Sequence, residues 1–537
     1  MRILVLSTLV VLLAACSQPE ISQERVERVL KTLASDDMRG RGAFTEDADR
    51  AAAFIASEFA DIGLETLKNN EAYLQQFEVY SVATGDLGVL LNGVAVPNAA
   101  ASLSANVSWS MGAGPEPTMV GVGSNLIEVL QSMRRSGDAF LVVHPSHAEA
   151  FGRASNFLAR PSRSLELSGG SSLVMVLSDA RIVTDYAVTG SAVVSELGLT
   201  NVVGILPGKR TDETVLFSAH YDHIGIRPGT AADADSIANG ANDDASGTAA
   251  VIELARYFKA MPKQERSIVF AAFTAEESGG YGSRYFSSQM NPDQIVAMFN
   301  IEMIGKGAAA GPNTAWITGF DRSDFGSILQ AAVQGTEFSF YADPYPSQNL
   351  FYRSDNATLA RLGVPAHSLS TTPIDVDEDY HKVSDEVATL DIPHMTATIR
   401  AIAAGATTIV SGQATPTRID PETVISVVRR SVWHLRVGLS RIRSPNSTSV
   451  RSGSGCESGI AARVPLPCGQ FGGLGGIGIP YSTPAHRASA YVHLQAGAMS
   501  SRLLERTSPN KLPQLRRTTL ARSSRSPTTR LLERLDT

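Results

Sequence analysis

The stretch Val215-Leu216-Phe217-Ser218-Ala219-His220-Tyr221-Asp222 decides the fold of this chain. Its first five residues are apolar or small, as in a strand buried on both faces of a sheet, and a histidine and an aspartate follow at once. The same order recurs where the apolar residues 267–273 precede Glu276-Glu277. Because such strands alternate with helices, they predict an α/β fold: an open, mostly parallel sheet with helices on both faces.

Other segments extend this pattern. Val26, Val29, Leu30 and Leu33 recur at helical spacing. Further helices are predicted over residues 51–62, 248–258 and 391–410, and strands over 139–143, 295–301 and 315–318. Residues 80–200 are rich in small residues and short β-like runs, so they predict an inserted β-rich subdomain.

Residue types that ligate metals recur at the ends of these elements. They are His220, the pair Asp243-Asp244, the pair Glu276-Glu277, Glu302 and His381. Each alone has another explanation, such as a surface ion pair, a helix cap or a solvated loop. Together they are expected to gather at one edge, since ligands bind at the carboxyl ends of parallel strands. Imidazoles and carboxylates with one bridging acid predict two zinc ions.

Two roles besides metal binding are predicted for acids of this set. One of the two adjacent glutamates, 276 and 277, can ligate a metal while the other activates water as a general base. Asp222 can reach the second ring nitrogen of His220 and fix its tautomer. The chain has no cysteine between Cys16 and Cys456, so thiolate ligands and disulfides are excluded there.

The ordered set His220-x-Asp222, Asn242-Asp243-Asp244, Glu276-Glu277, Asn300-x-Glu302-Met303 and Tyr380-His381 resembles the co-catalytic di-zinc aminopeptidases, metallopeptidase family twenty-eight of clan MH. The resemblance covers roughly residues 33–410, apart from the inserted segment. It implies that one zinc binds His220, Asp243 and Glu302 and that the other binds Asp243, Glu277 and His381. Glu276 would be the general base and Asp222 a partner of His220.

Two positions depart from the family pattern. The family's aminopeptidases usually have Asp where this chain has Glu302, and the late Ser-Asp-His motif has Asn356 in place of histidine. The resemblance implies an aminopeptidase. A carboxypeptidase or an N-acyl amino-acid deacylase with the same metals is the alternative, and a glutaminyl cyclase or a non-catalytic binding member is disfavoured because all five ligands and the base are present.

A free amino terminus on the substrate is expected from charge. The acidic residues of the segment 375–379 precede His381, and carboxylates there would attract an ammonium group. Phe351 and Tyr352 would wall the pocket for the first side chain. Arg353 favours the opposite substrate end, because its guanidinium would bind a terminal carboxylate.

The chain has 537 residues, of which 43% are hydrophobic, and a net charge of −7. This charge is unevenly distributed between the C-terminal tail and the rest of the chain. From Arg430 onward 15 Arg and one Lys face four acids, about +12, which leaves −19 for the rest. An acidic body argues against nucleic-acid binding. The tail is either a disordered basic segment or a shifted reading frame, and a chain ended near Ser411 is expected to fold.

The N-terminus predicts export. Arg2, an apolar run over residues 3–13 and the sequence Leu13-Ala14-Ala15-Cys16 resemble a bacterial lipoprotein signal, whose cysteine is lipidated, although an ordinary secretory signal is the alternative. The chain is therefore expected on the periplasmic face or the outer membrane. The predicted segments are a signal peptide (1–15), the N-terminal part of the peptidase domain (16–79), the inserted subdomain (80–200), the zinc peptidase domain (201–412) and the basic tail (425–537).

Overall fold

A computed structural model describes residues 19–68, 70, 72–133, 137–167, 169–227 and 235–424. The predicted signal peptide, Cys16 and the tail 425–537 lie outside the described residues. No helix within the described ranges is long and apolar enough to cross a membrane.

The helices are α1 (Gln23–Leu33), α2 (Glu46–Ile62), α3 (Leu126–Met133), α4 (Ala148–Leu158), α5 (Gly247–Ala260), α6 (Tyr281–Gln289), α7 (Phe325–Ala332), α8 (Asn356–Ala360) and α9 (Ile392–Val410). Helix α1 buries Val26, Val29, Leu30 and Leu33, the four residues whose spacing predicts it. Helix α2 ends at Gly63, whose φ of 74° is the left-handed conformation that glycine adopts without strain.

The strands are β1 (Glu65–Thr66), β2 (Leu74–Leu91), β3 (Val94–Ala95), β4 (Ala99–Ser102), β5 (Val107–Ser110), β6 (Pro117–Val120), β7 (Ala139–Val143), β8 (Ser162–Ser164), β9 (Leu173–Leu177), β10 (Tyr186–Leu206), β11 (Arg210–His220), β12 (Gly225–Ile226), β13 (Ile237–Ala238), β14 (Arg266–Phe273), β15 (Ile295–Ile301), β16 (Thr314–Ile317), β17 (Ser339–Ala342) and β18 (Ala366–Ser370).

The main sheet has the order β17-β16-β18-β15-β11-β14-β10-β2-β3. Its centre, β18-β15-β11-β14, is parallel throughout. Towards the edges, β16 pairs antiparallel with β18, and β10 pairs antiparallel with β14. The mostly parallel α/β sheet predicted from the sequence is confirmed, with antiparallel flanks added.

Helices cover both faces of this sheet because side chains alternate along each strand. On β11, Phe217 packs into a core shared with α1, α2, α5, α7 and α9. Its neighbour Leu216 faces the opposite core, where it joins Phe286 of α6 and Leu359 of α8. Burying such a side chain stabilises the fold by about 1.5–3 kcal/mol, so this apolar run fixes the strand firmly between the two layers.

The inserted segment is built on two long strands. Strands β2 and β10 pair antiparallel from Tyr186–Leu91 to Val202–Leu74, so they extend the main sheet into the insertion. A second sheet, β4-β9-β7-β6, lies there, and its strand β7 matches the predicted residues 139–143. The insertion also contains helices α3 and α4, which the sequence pattern did not predict.

Candidate metal centre

Three neighbouring strands deliver functional side chains to one edge of the sheet. Strand β11 ends at His220, β14 ends at Phe273 just before the glutamate pair, and β15 ends directly before Glu302. Because β11, β14 and β15 are parallel, their carboxyl ends lie together. Asp243 comes from the segment that leads into α5, and His381 from the loop after β18.

The five predicted ligands form two adjoining groups. In the first, Nε2 of His220 lies 3.2 Å from Oδ1 of Asp243 and 3.3 Å from Oε1 of Glu302. In the second, Nε2 of His381 lies 3.2 Å from Oδ2 of Asp243 and 3.2 Å from Oε2 of Glu277. The two oxygens of Asp243 thus face different histidines, the arrangement expected of a carboxylate that bridges two ions.

The chemistry of this cluster fits bound cations. Asp243 and His220 are 2% and 1% exposed, and a buried carboxylate is costly unless a positive charge compensates it. Burial lowers the pKa of His381, but Asp243 and Glu277 outweigh it and raise that pKa to about 10. Oε1 of Glu277 is buried without a hydrogen-bond partner. The carboxylates therefore attract positive charge at the points where metal ions would bind the same oxygens.

Asp222 supports two neighbours, by a different geometry from the one predicted. Nδ1 of His220 lies 3.0 Å from the main-chain oxygen of Asp222 and 3.7 Å from its carboxylate. The carboxylate instead accepts a 3.0 Å hydrogen bond from the main-chain N–H of Glu276. Asp222 therefore orients the imidazole through its backbone and the Glu276 segment through its side chain.

Glu276 differs from its neighbour Glu277 because it lines the pocket beside the ligands. Burial, reinforced by the charge of Glu302, raises the pKa of Glu276 well above its ordinary value. A carboxylate with a raised pKa in a pocket suits a general base, because it holds a proton more readily than a solvated glutamate.

Glu302 is held in place by a residue distant in sequence. The hydroxyl of Ser354 donates a 2.6 Å hydrogen bond to Oε2 of Glu302, which leaves Oε1 facing His220. The longer side chain at this position therefore still reaches the first ligand group. Asn356, which replaces the family's histidine, donates to the main-chain oxygens of Phe351 and Ala366 and is fully buried. It stabilises the fold under the site.

Two further acids position the Asp243 segment. The carboxylate of Asp385 accepts hydrogen bonds from the main-chain N–H groups of Asn242 and Asp243 at 2.9 and 3.1 Å. Asp244 accepts from the N–H groups of Gly247 and Met303 at 2.9 and 3.0 Å. Asp244 is thus the capping member of the pair, while Asp243 faces the histidines. A helix cap was among the explanations that the sequence offers for this pair, whereas the role of Asp385 has no local signal in the sequence.

The match to known proteins agrees with this geometry. Residues 201–406 match the model of peptidase family M28. Over these residues the chain is similar to that family. "Leucine aminopeptidase 1" of Ajellomyces capsulatus (strain H88) is 29% identical over 213 residues, 37% of this chain and 53% of that protein. "Aminopeptidase YwaD" of Bacillus subtilis (strain 168) is 33% identical over 110 residues, 20% of this chain and 22% of that protein. The chain thus spans about half the length, or less, of these curated relatives.

Among solved structures, the zinc aminopeptidase BSAP from Bacillus subtilis aligns with 74% of this chain and 98% of its own. The sequence identity is 16% and the TM-score is 0.47.

The structure has a pocket directly beside the two ligand groups. Its charged lining comprises Asp243, Glu276, Glu302, Arg353 and His381. Its remaining wall is formed by Met303, Trp316, Thr318, Leu350, Ser354, Ser368, Ser370, Thr372, Ile374 and Tyr380. A pocket lined by both carboxylates and large apolar side chains suits a substrate with a polar reacting end and an apolar side chain.

The prediction of a pocket wall is wrong for Phe351, whereas Tyr352 lines a neighbouring pocket that also contains Glu276. Phe351 is 5% exposed and belongs to the core beneath the site, and Tyr352 packs beside it with the ring planes at 86°. The apolar wall comes instead from Met303, Trp316 and other residues of distant segments.

The acidic segment before His381 is also less available than predicted. Nζ of Lys306 lies 2.8 Å from Asp377 and 2.5 Å from Asp379, and Asp375 accepts a hydrogen bond from Gln348. Lys306 therefore compensates two of the charges that were expected to attract an ammonium group.

Proposed function

We propose that this M28-like domain is a zinc-dependent aminopeptidase that removes N-terminal residues from peptides. The observation that carries the proposal is the convergence of five metal-ligating side chains, with Glu276, at one apolar-walled pocket. Two zinc ions suit this donor set, one beside His220 and Glu302 and the other beside Glu277 and His381, with Asp243 shared. The relatives' printed names support an aminopeptidase or a zinc metalloprotease.

Zinc ions bound here would polarise the scissile carbonyl and make water a better nucleophile. The chain's own groups supply the remaining steps. Glu276, held by Asp222 through its main-chain N–H, takes the proton of the attacking water and passes it to the leaving amine. The carboxylates of Glu276 and Glu302 line the pocket and favour a substrate ammonium group over a carboxylate. Trp316 and Met303 contact the side chain of the substrate's N-terminal residue.

Competition between Leu-Gly and N-acetyl-Leu-Gly tests this proposal on the zinc-loaded protein. Hydrolysis of the free-amine peptide should be the faster, because acetylation removes the positive charge that the pocket carboxylates attract. Removal of zinc with a chelator should abolish turnover, and zinc should restore it. Elemental analysis should give about two zinc ions per chain. A fully active protein with one zinc would contradict the two-ion assignment.

One observation favours a second function. The guanidinium of Arg353 lies in the pocket lining, 3.4 Å from the hydroxyl of Tyr380, where it would bind a terminal carboxylate. A carboxypeptidase or N-acyl amino-acid deacylase would use that contact. Faster hydrolysis of N-acetyl-Leu-Gly in the same competition would establish this alternative in place of the aminopeptidase.

The membrane partner is a separate proposal that rests on the sequence of residues 1–16. Lipidation of Cys16 would hold the peptidase domain at a membrane surface. The full chain should then fractionate with membranes, and a Cys16→Ala variant should not. Membrane association that survives this substitution would contradict the proposal.

A further inference from the structure

A third histidine lies at the metal centre besides the two predicted ligands. His223 lies three residues after His220, in the segment that follows β11, and its side chain is 0% exposed. Neither Nδ1 nor Nε2 has a hydrogen-bond partner. Buried polar atoms are nearly always satisfied, so an imidazole with two free nitrogens needs a partner of another kind.

The position of the His223 ring indicates what that partner is. Nδ1 lies 2.9 Å from Oε1 of Glu277 and 3.8 Å from Oδ2 of Asp243, without the alignment of a hydrogen bond. The ring of His381 meets the same two carboxylates from another side, with 5.9 Å between the ring centroids and 70° between the ring planes. Zinc ligands in a tetrahedral site, each ~2.0–2.2 Å from the ion, lie ~3.3 Å from one another, close to these separations.

The backbone holds the His223 ring in this place. The N–H of His223 donates a 3.2 Å hydrogen bond to the main-chain oxygen of Arg41. Gly240 faces the ring so closely that a Cβ there would lie 2.5 Å from Cγ of His223. The absence of a side chain at 240 therefore leaves room for the imidazole beside Asp243 and Glu277.

We propose that His223 is a sixth metal ligand, which binds through Nδ1 the ion that Asp243, Glu277 and His381 share. This inference rests on the zinc site of the proposed function and deepens it. Four protein ligands would then hold that ion, whereas three, His220, Asp243 and Glu302, hold the other. The first zinc should therefore load at the His223 position and bind more tightly there.

This asymmetry matches the way the pocket is built. Asp243, Glu276, Glu302 and His381 line the pocket, while His223 is buried and is not among the lining side chains. A closed set of four ligands is typical of a structural zinc, and an ion with three protein ligands keeps a position for water or substrate. The His220 position, nearer the pocket carboxylates of Glu276 and Glu302, is thus the one with room for reacting groups.

The rival role for His223 is a hydrogen bond from Nδ1 to Glu277 that only orients the carboxylate. Metal affinity alone does not separate the roles, since the loss of an orienting group also costs about 10–100-fold in affinity. The number of imidazoles bound to the ion does separate them. One equivalent of zinc, added to the metal-free full chain, should show two imidazoles by X-ray absorption at the zinc edge. One imidazole would overturn the proposal.

Variants provide a second measurement. His223→Gln should weaken the tighter zinc site by at least about 100-fold in chelator competition, beyond the usual effect of an orienting group. It should also reduce the imidazole count at one equivalent from two to one. The matched control is His394→Gln, which alters a buried histidine with a free Nε2 on α9 and should leave both values unchanged. An unchanged count in His223→Gln would contradict the assignment.

The two proposals fail in different ways. A protein that binds its first zinc through two imidazoles but hydrolyses no peptide would overturn the proposed function and leave His223 as a ligand. A peptidase whose first zinc has one imidazole would overturn only the role of His223.

Discussion

At the scale of single residues, adjacent glutamates have different surroundings. Glu277 faces His381, whereas Glu276 faces the pocket. On the proposed function, Glu276→Gln should keep both zinc ions and reduce kcat by ~10²–10⁴-fold, because it removes the proposed general base and no proposed ligand. Turnover of Leu-p-nitroanilide together with zinc analysis measures both effects.

The matched control for that variant is Glu277→Gln, which removes a proposed ligand. Its main effect should be a lower zinc content of the purified protein. Near-normal turnover in Glu276→Gln would place the base on another residue. A loss of zinc in that variant would mean that Glu276 ligates as well.

Residues at this site could be predicted only where the side-chain type itself carries the chemistry. His220 and Glu302 were predictable because each ends an apolar strand, so their placement follows from the sheet. His223 gave no such signal, since its role depends on a ring position fixed by Gly240. The contact of Ser354 with Glu302 joins segments 52 residues apart, and no local pattern in the sequence reports it.

At the scale of elements, prediction succeeded where burial is uniform. Strands β7, β14 and β15 are almost wholly apolar and lie at or within one residue of their predicted bounds. The long strands β2 and β10 were missed because glycines and polar residues interrupt them and much of their length is exposed. Their pairing with each other stabilises them, and that is a long-range property.

The loop after α1 shows how an element is fixed by one buried cation. Arg41 is 0% exposed, and its guanidinium donates hydrogen bonds to the main-chain oxygens of Leu33, Tyr221, Asn239 and Gly240. These bonds hold the segments that carry His220 and Asp243 to the end of α1.

Arg41→Met should therefore destabilise the fold strongly. Each buried carbonyl left without a donor costs about 1–3 kcal/mol, and partial relaxation suggests a total of about 3–5 kcal/mol. Urea unfolding of the zinc-loaded protein measures the change. The matched control is Arg39→Met, because the Arg39 side chain is 51% exposed and pairs only with Asp47 at 3.4 Å. Equal stability of the two variants would show that the buried bonds contribute little.

At the scale of the whole molecule, the sequence predicted the parallel centre of the sheet and the edge that carries the site. It did not predict which charges stay available there. Lys306 reaches Asp377 and Asp379 from more than 70 residues away, and that contact compensates the charge of both carboxylates. Patterns of local sequence report burial and periodicity, but such pairings depend on the completed fold.

The packed structure continues past Ser411, the residue near which truncation was expected to be tolerated. After α9, Ile419 and Val424 are each 1% exposed and join the core beside α6 and α8. Arg266 donates to the main-chain oxygen of Ala414 and to the hydroxyl of Thr415, both at 2.6 Å. Residues 413–424 are therefore part of the packed structure, although their sequence has no clear helical or strand period.

A chain that ends at residue 424 should keep the peptidase activity and stability of the full chain. One that ends at Ser411 should lose at least about 3 kcal/mol, since it exposes the core contacts of Ile419 and Val424, each worth about 1.5–3 kcal/mol. Thermal unfolding and Leu-p-nitroanilide turnover of both truncated chains measure the difference.

The separate effect of the core contacts is tested in the longer chain by Ile419→Ala, with the exposed Glu422→Ala as its control. If the chain ending at Ser411 is as stable as the one ending at residue 424, the packed segment contributes nothing and the boundary expected from sequence stands. If the chain ending at residue 424 unfolds while the full chain does not, residues 425–537 belong to the structure.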